Sequence, residues 1–276
     1  MTSLPSSRAT RAGIAAAEVV RVRTQHSERL IDEVAVEEPL EIRIHGDAWA
    51  TTMRTPGSDS ELVAGLLLAE GVITSTADVL GISHCGRPGE EGWGNVIDVN
   101  LAPGVRDPSE ETRRALFMNS ACGVCGRAGV EDLLARLAPL SNTTLFSRDW
   151  LLGLVTALAD AQANFGRTGG LHAAGIASVR GGFQVVREDI GRHNAVDKAI
   201  GRLLLDGQLP AQDCALVVSG RAGFELVQKA LAAGIPALVS ISAPSSLAIR
   251  TAQAAGSLLI GFARNQSFNV YAGTDR

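Results

Sequence analysis

The sequence predicts an α/β protein, and three features predict it. Strand-like and helix-like runs alternate from Cys214 to Phe262. Glycine is abundant at 30 residues and aromatics make up only 4%, so packing must rest on Val, Leu, Ile and Ala between tight turns. Near the start, Leu40, Ile42 and Ile44 alternate with charged residues, the period-two signature of a half-exposed strand. With 276 residues, 46% of them hydrophobic, the chain can bury one large core or a core with a smaller satellite.

Residues 1–28 are polar and weakly patterned and read as a flexible tail. Residues 29–110 read as a smaller strand-rich portion. Within it, DEVAVEEPLEIRI (32–44) is a strand, HGD a turn and WATTMRT the returning strand, which Pro56-Gly57 stops. Ser58 and Glu61 suit a capping box, serine accepting an orphan helix N–H while the glutamate reaches back. Leu62, Val63, Leu66 and Leu67 follow at helical spacing, and the helix should end near Gly71. A further strand is expected over 95–99 and a loop over 101–110.

Residues 111–276 read as the α/β domain. Helices are expected over 130–137 and 150–164, and GRTGGLHAAGIASV is a turn running into a strand. Beyond it come a strand (214–218), a helix (224–233) closed by Gly234, and a strand (237–241). A helix (244–255), with Pro244 near its start and Gly256 at its end, then leads to a strand (257–262). That order implies right-handed crossovers and a largely parallel sheet.

Several function classes are disfavoured. A net charge of −4 argues against a generally basic nucleic-acid surface, while leaving room for a local basic pocket. The apolar runs LLGLVTALA and ALVVSG fall far short of the roughly 20 residues a membrane span needs. The apolar run near the start is short and broken by Glu18, so no secretory signal is expected. Cysteines are few, and a reducing cytoplasm is the expected location.

Cys122 and Cys125 form a CxxC in MNSACGVCGRAG. Such a pair can hold a metal, exchange a disulfide, or let one thiol accept sulfur as a persulfide while the other tunes or resolves it. The thiolate is the reactive form, and Arg127 and a following helix would favour it. A closed zinc site wants four Cys or His ligands. The other two would come from Cys85, Cys214, His84, His172 or His193, none of which belongs to a second CxxC. No resident metal is expected. A deaminase places its His-x-Glu ahead of PCxxC; here the order is reversed and Ala173-Ala174 follow His172. Cys214, opening a strand, reads as a small buried hydrophobe, and Cys85 as a minor redox or ligand candidate.

A second polar constellation lies in EDIGRHNAVDKAIG, where Arg192, His193, Asn194, Asp197 and Lys198 fall within seven residues. On a helix His193 shares a face with Asp197, and Asn194 with Lys198. The segment is either a solvated helix start or a pocket for phosphate or a base. GRTGGLH offers Gly169, Gly170 and His172 in an ordinary turn or an anion nest. Ser219, Gly220 and Arg221 lie where a strand passes into a helix, a favoured place for anions. Ser245 and Ser246 occupy a second such junction, contacting ligand or capping the helix. None of these is a GxGxxG or Walker loop, so neither NAD nor ATP is favoured. Together they point to a phosphate-bearing ligand without identifying it.

The stretches RTPGSDSELVAGLLLAEGVI, NSACGVCG, TGGLHAAG, EDIGRHNAVDKAIG, SGRAGFELVQKA, GIPALVSISAPSSLAI and LIGFARNQSFNVYA, in that order, resemble the FdhD family of formate dehydrogenase accessory sulfurtransferases over residues 33–272. The resemblance implies a cytidine-deaminase-like α/β portion, with a mixed sheet and flanking helices, in a homodimer. It implies a carrier that takes persulfide sulfur from a cysteine desulfurase. The sulfur passes to the molybdenum of a bis-guanine-dinucleotide molybdopterin cofactor, bound as a substrate and not held permanently, which then matures formate dehydrogenase. The family's cysteine pair falls on Cys122 and Cys125, with Cys122 the persulfide carrier. A family form of this loop reads TSSCGVCG; NSACGVCG keeps both thiols and loses a hydroxyl before Cys122. The last stretch adds Phe262 and Arg264 to the candidate cofactor-binding set already named.

Overall fold

A computed structural model describes residues 9–11, 13–87, 90, 93–105, 140, 144–264 and 266–273. The first sheet is antiparallel, with β1 (Ala9–Arg11), β2 (Ile14–Val22) and β3 (Ser27–Ala35) in that order. It corrects the expectation of a flexible tail through residue 28. β2 and β3 pair continuously from Ile14–Ala35 at the base to Val22–Ser27 near the turn. Ile14 is fully buried while Val20, Val22 and Ile31 stay exposed. With much of both faces wet, the ribbon lacks the apolar alternation by which sequence reveals strands.

The second sheet has the order β5-β4-β7-β6, from β4 (Glu38–Ile44), β5 (Asp47–Arg54), β6 (Val79–His84) and β7 (Val96–Leu101). Leu40, Ile42 and Ile44 all face the core, as their alternation predicts. The single strand expected over 32–44 is two strands in two sheets, parted at Val36-Glu37. Helix α1 (Asp59–Ala69) follows β5. The capping box does not form: Ser58 sits at φ 56° and makes no side-chain cap. Glu61 instead accepts from Arg187 Nη2 at 2.8 Å.

After α2 (Arg148–Ala161), whose first turn is capped by Ser147, and the short α3 (Phe165–Thr168), the chain enters the third sheet. Its elements are β8 (His172–Ser178), β9 (Gly182–Asp189), α4 (Arg192–Leu205), β10 (Cys214–Val218), α5 (Phe224–Ala232), β11 (Ala237–Ser240), α6 (Ser246–Ala255), β12 (Leu258–Arg264) and β13 (Ser267–Ala272). The strand order is β13-β12-β11-β10-β8-β9. The expected parallel arrangement holds for β10, β11 and β12. β8, β9 and β13 pair antiparallel, making the sheet mixed. β10 and β11 are buried along their whole length, which is why they read as unbroken apolar runs.

Two apolar clusters hold the layers together. One joins Leu40, Leu62 and Ile97 of the N-terminal portion to Leu203, Leu216 and Leu259 of the later one. The other packs Leu151, Leu154 and Leu158 of α2 against Val217, Val239 and Ile260. The strand-rich portion thus shares its core with the α/β portion. The closest joint is the α1–α4 crossing. A β-carbon at Gly65 would overlap the Asp197 carbonyl, and one at Gly201 the Glu61 carbonyl, so the helices touch backbone to backbone. The helix expected over 130–137 and the Cys122–Cys125 loop lie outside the described residues. No helix among the described residues is long and apolar enough to cross a membrane.

Candidate functional site

Strand direction decides which residues can meet. β8 runs antiparallel to β10, so its first residues lie beside the carboxyl end of β10; β9, antiparallel to β8, ends there too. The loops after β9, β10, β11 and β12 therefore share one sheet edge with His172. Ser219 fastens the centre of that edge: its N–H donates to Ala173 O at 3.0 Å, and its Oγ accepts from Ala173 N at 2.9 Å. Gly220 runs close beneath two side chains; a β-carbon there would sit 3.3 Å from His172 Nδ1 and 3.5 Å from Arg192 Cδ. Ser240 Oγ donates to Gly220 O at 2.7 Å, and Ser245 N to Ala222 O at 3.0 Å, tying the next loop alongside.

The edge is cationic. His172, half-buried, is held below its ordinary value of 6.5 first by burial and then by the charges of Arg192, His193 and Arg221, with Asp189 opposing. Glu225 lies 2.7 Å from His193 Nε2. Among the described residues no carboxylate pairs with Arg192 or Arg221. Helices α4 and α5 both begin here, on Gly191 and Gly223, with no side-chain cap. Uncapped first-turn N–H groups and the positive helix ends favour an anion.

The structure brings His172, Arg192, His193, Ser219, Gly220 and Arg221 together. Asn194, Asp197 and Lys198, named with them, are turned inward. Lys198 Nζ lies 2.7 Å from Asp189 Oδ2 and donates to Thr55 O at 2.7 Å. Lys229 Nζ donates to Asp197 Oδ1 at 2.6 Å. Burial pushes the Asp197 carboxyl up and Lys229 opposes it. Asn194 Nδ2 donates to Met53 O at 2.8 Å. These side chains make internal contacts, where the helical spacing alone had allowed a ligand face.

Gly169 closes α3 in the left-handed region at φ 63°, and Gly170 packs beside Ala35 of β3. The neighbouring Arg167 is paired to Glu33, so this turn is docked on the first sheet. Ser245 caps α6, accepting from Ala248 N at 3.2 Å, and Ser246 is exposed beside it. Phe262 is half exposed at φ 52°, unusual for a bulky residue, within a bulged stretch of β12. Its N–H donates to Ser242 O at 3.0 Å, and Arg264 Nη1 donates to Ile241 O at 2.8 Å. Cys214 is buried, its thiol pushed up to about 12 by burial and Asp213, the inert state expected of it. Cys85 is half-buried and follows His84, whose Nε2 lies 3.4 Å from Asp59. Sequence reading missed Asp189, Thr55, Glu225 and Lys229, although each lies inside one of the quoted stretches.

Fold and edge together define a mixed α/β protein with a cationic edge at the carboxyl ends of its parallel strands. Residues 35–276 match the model of the FdhD/NarQ family, and the chain belongs to that family. It is 51% identical over 254 residues to the sulfur carrier protein FdhD of Anaeromyxobacter dehalogenans, covering 89% of this chain and 88% of that one. The sulfur carrier protein FdhD of Mycobacterium tuberculosis is 49% identical over 266 residues, with 93% and 96% covered. A crystal structure of a candidate formate dehydrogenase accessory protein from Desulfotalea psychrophila superposes with a TM-score of 0.76 at 25% identity. It covers 95% of this chain and 98% of that one.

Proposed function

We propose that this chain is a sulfur carrier that serves formate dehydrogenase maturation. Cys122, as thiolate, attacks the outer sulfur of a persulfide on a cysteine desulfurase. The S–S bond of the donor breaks, the desulfurase leaves as a thiolate, and Cys122 holds Cys–S–SH. Cys125 protects the persulfide or assists its release; in release its thiolate attacks Cys122 Sγ, the Cys122 S–S bond breaks, and the outer sulfur leaves at the sulfide level as a Cys122–Cys125 disulfide forms. The acceptor is the molybdenum of the bis-guanine-dinucleotide molybdopterin cofactor, bound as a substrate. Family membership supports the sulfur chemistry, and the two matching cysteines carry it.

The observation that carries the acceptor side is the edge where Arg192, Arg221 and His172 meet beside the uncapped starts of α4 and α5. A ligand with two diphosphate bridges brings the anionic oxygens such an edge favours. We assign Arg192, His193, Arg221, Ser219, Gly220 and His172 to direct contact with the nucleotide part, with Phe262, Arg264, Ser245 and Ser246 along the adjoining junctions. Gly169 and Gly170 shape the turn that delivers His172. Asn194, Asp197 and Lys198 support the edge from below. The mixed sheet is read as cytidine-deaminase-like, the active form as a homodimer and its place as the cytoplasm.

The test is mass measurement of Cys122 and Cys125 after incubation with a desulfurase and cysteine. A gain of one sulfur on Cys122 is expected, lost on adding the molybdenum cofactor. A Cys122→Ser protein that still carried labelled sulfur and restored formate dehydrogenase would sink the assignment.

A further inference from the structure

Asp189 is wholly buried at the end of β9, three residues before Arg192, and is saturated with donors. Its Oδ1 accepts from Gly191 N at 2.8 Å and Asn194 Nδ2 at 3.2 Å. Its Oδ2 accepts from Thr55 N at 3.1 Å and lies 2.7 Å from Lys198 Nζ. Thr55 answers on the same loop: Ile190 N donates to its Oγ1 at 3.2 Å, and its carbonyl accepts from Lys198. Asn194 continues the seam, since Thr52 Oγ1 donates to its Oδ1 at 3.3 Å. A β-carbon at Gly191 would lie 3.1 Å from Asn194 Nδ2 and 3.4 Å from Asp189 Oδ1, so even the uncapped helix start is shaped to this packing.

We propose that Asp189, acting with Thr55 and Lys198, is the positioning residue of the cationic edge: it locks the loop 189–191 and the first turn of α4 onto the end of β5, and so fixes where Arg192, His193 and the free first-turn N–H groups point. This rests on the reading of that edge as a nucleotide-phosphate site. A buried ion pair is poor evidence of stability, because well-packed apolar residues of the same volume do as well or better. What this pair does supply is direction. Every donor on Asp189 belongs either to the loop and first turns that carry the cationic residues or to the strand end beneath them. The lock also spans the two portions of the chain, so the site inherits its geometry from residues 52–55 as well as from the sheet that bears it. Asp189 further lends a negative charge that opposes the depression of His172 by its cationic neighbours, giving the role an electrostatic signature beside its geometric one.

The experiment measures binding of guanosine diphosphate to the full chain, with thermal melting of every variant. Thr55→Val removes the Oγ acceptor of Ile190 N without changing charge; Thr55→Ser keeps it. Loss of one such bond should weaken binding by about tenfold in Thr55→Val, while Thr55→Ser binds as the parent. Asp189→Asn with Lys198→Met removes the pair together and should weaken binding at least as much. In Asp189→Asn the NMR titration of His172 should move further down, which loss of packing alone would not produce. Folded Thr55→Val and double variants that bind within twofold of the parent, while Arg192→Ala and Arg221→Ala lose binding, would overturn the positioning role and leave the site standing. If the parent fails to bind, or the arginine variants bind like it, the site reading fails and this proposal with it.

Discussion

From Arg192 onward, the stretch EDIGRHNAVDKAIG carries two populations of polar side chain that differ in which way helix α4 turns them. Arg192 and His193 face the sheet edge, where Arg221 and His172 wait. Asn194, Asp197 and Lys198 face inward and are consumed by Met53, Lys229, Thr55 and Asp189. The inward set pays desolvation and is repaid by tight internal pairing. The outward arginines have no carboxylate partner among the described residues, which on the proposed function leaves their charge for a ligand. On the proposed function, this dense polar motif is not one site but a site and its foundation, and burial tells them apart.

Substitutions should separate the two populations, with the largest effect inward. Lys198→Ala strands the Asp189 carboxylate in a fully buried place, and unfolding free energy should fall by about 3–5 kcal/mol. Arg192→Ala and Arg221→Ala should leave stability within about 0.5 kcal/mol while weakening guanosine diphosphate binding by about tenfold or more, since hydrogen bonds to charged groups are worth about 1.5–3 kcal/mol. Denaturant titration and binding isotherms on the same preparations check both halves. Equal stability losses across the set would erase the distinction.

The foundation depends on the α1–α4 crossing as much as on charge. Gly201→Ala would drive a methyl group into the Glu61 carbonyl, so the helices must part. The expected loss is about 1–3 kcal/mol, typical of overpacking, read from denaturant midpoints. Binding should weaken too, because α4 carries Arg192 and His193. A Gly201→Ala protein as stable as the parent would show that the helices are not locked backbone to backbone.

How much of this was legible in the sequence follows from the range of each interaction. β10, α5, β11, α6 and β12 were legible because strands covered on both faces are apolar throughout and Gly234 and Gly256 stop the helices. The β2–β3 ribbon was not, because solvent-exposed pairing leaves no apolar period. The Ser58 capping box failed on backbone geometry, a positive φ that the Ser-x-x-Glu pattern does not encode. Among the site residues, Arg221 and Ser219 could be placed from their strand-to-helix junction. The inward fate of Lys198 could not, since it is decided by Thr55, 143 positions earlier. The antiparallel course of β8, which brings His172 to the edge, likewise rests on pairing with β10.

His172 provides the smallest and most discriminating test, because it lies between the two populations and titrates. Burial and the neighbouring cations hold its folded value below 6.5. Between that value and 6.5 the unfolded chain binds more protons than the folded one, so stability is full above the window and declines as pH falls through it. An anion bound at the edge would relieve the cationic repulsion and raise the folded value, drawing a proton onto the ring. Affinity for guanosine diphosphate should therefore rise across the same window in which the free protein loses stability. His172→Gln should flatten that part of both profiles while leaving Arg192 and Arg221 in place. Melting curves and isotherms at a series of pH values would show the opposed slopes. Parallel slopes, or slopes unchanged in His172→Gln, would mean that the imidazole does not sense the ligand and that the anion sits elsewhere on the edge.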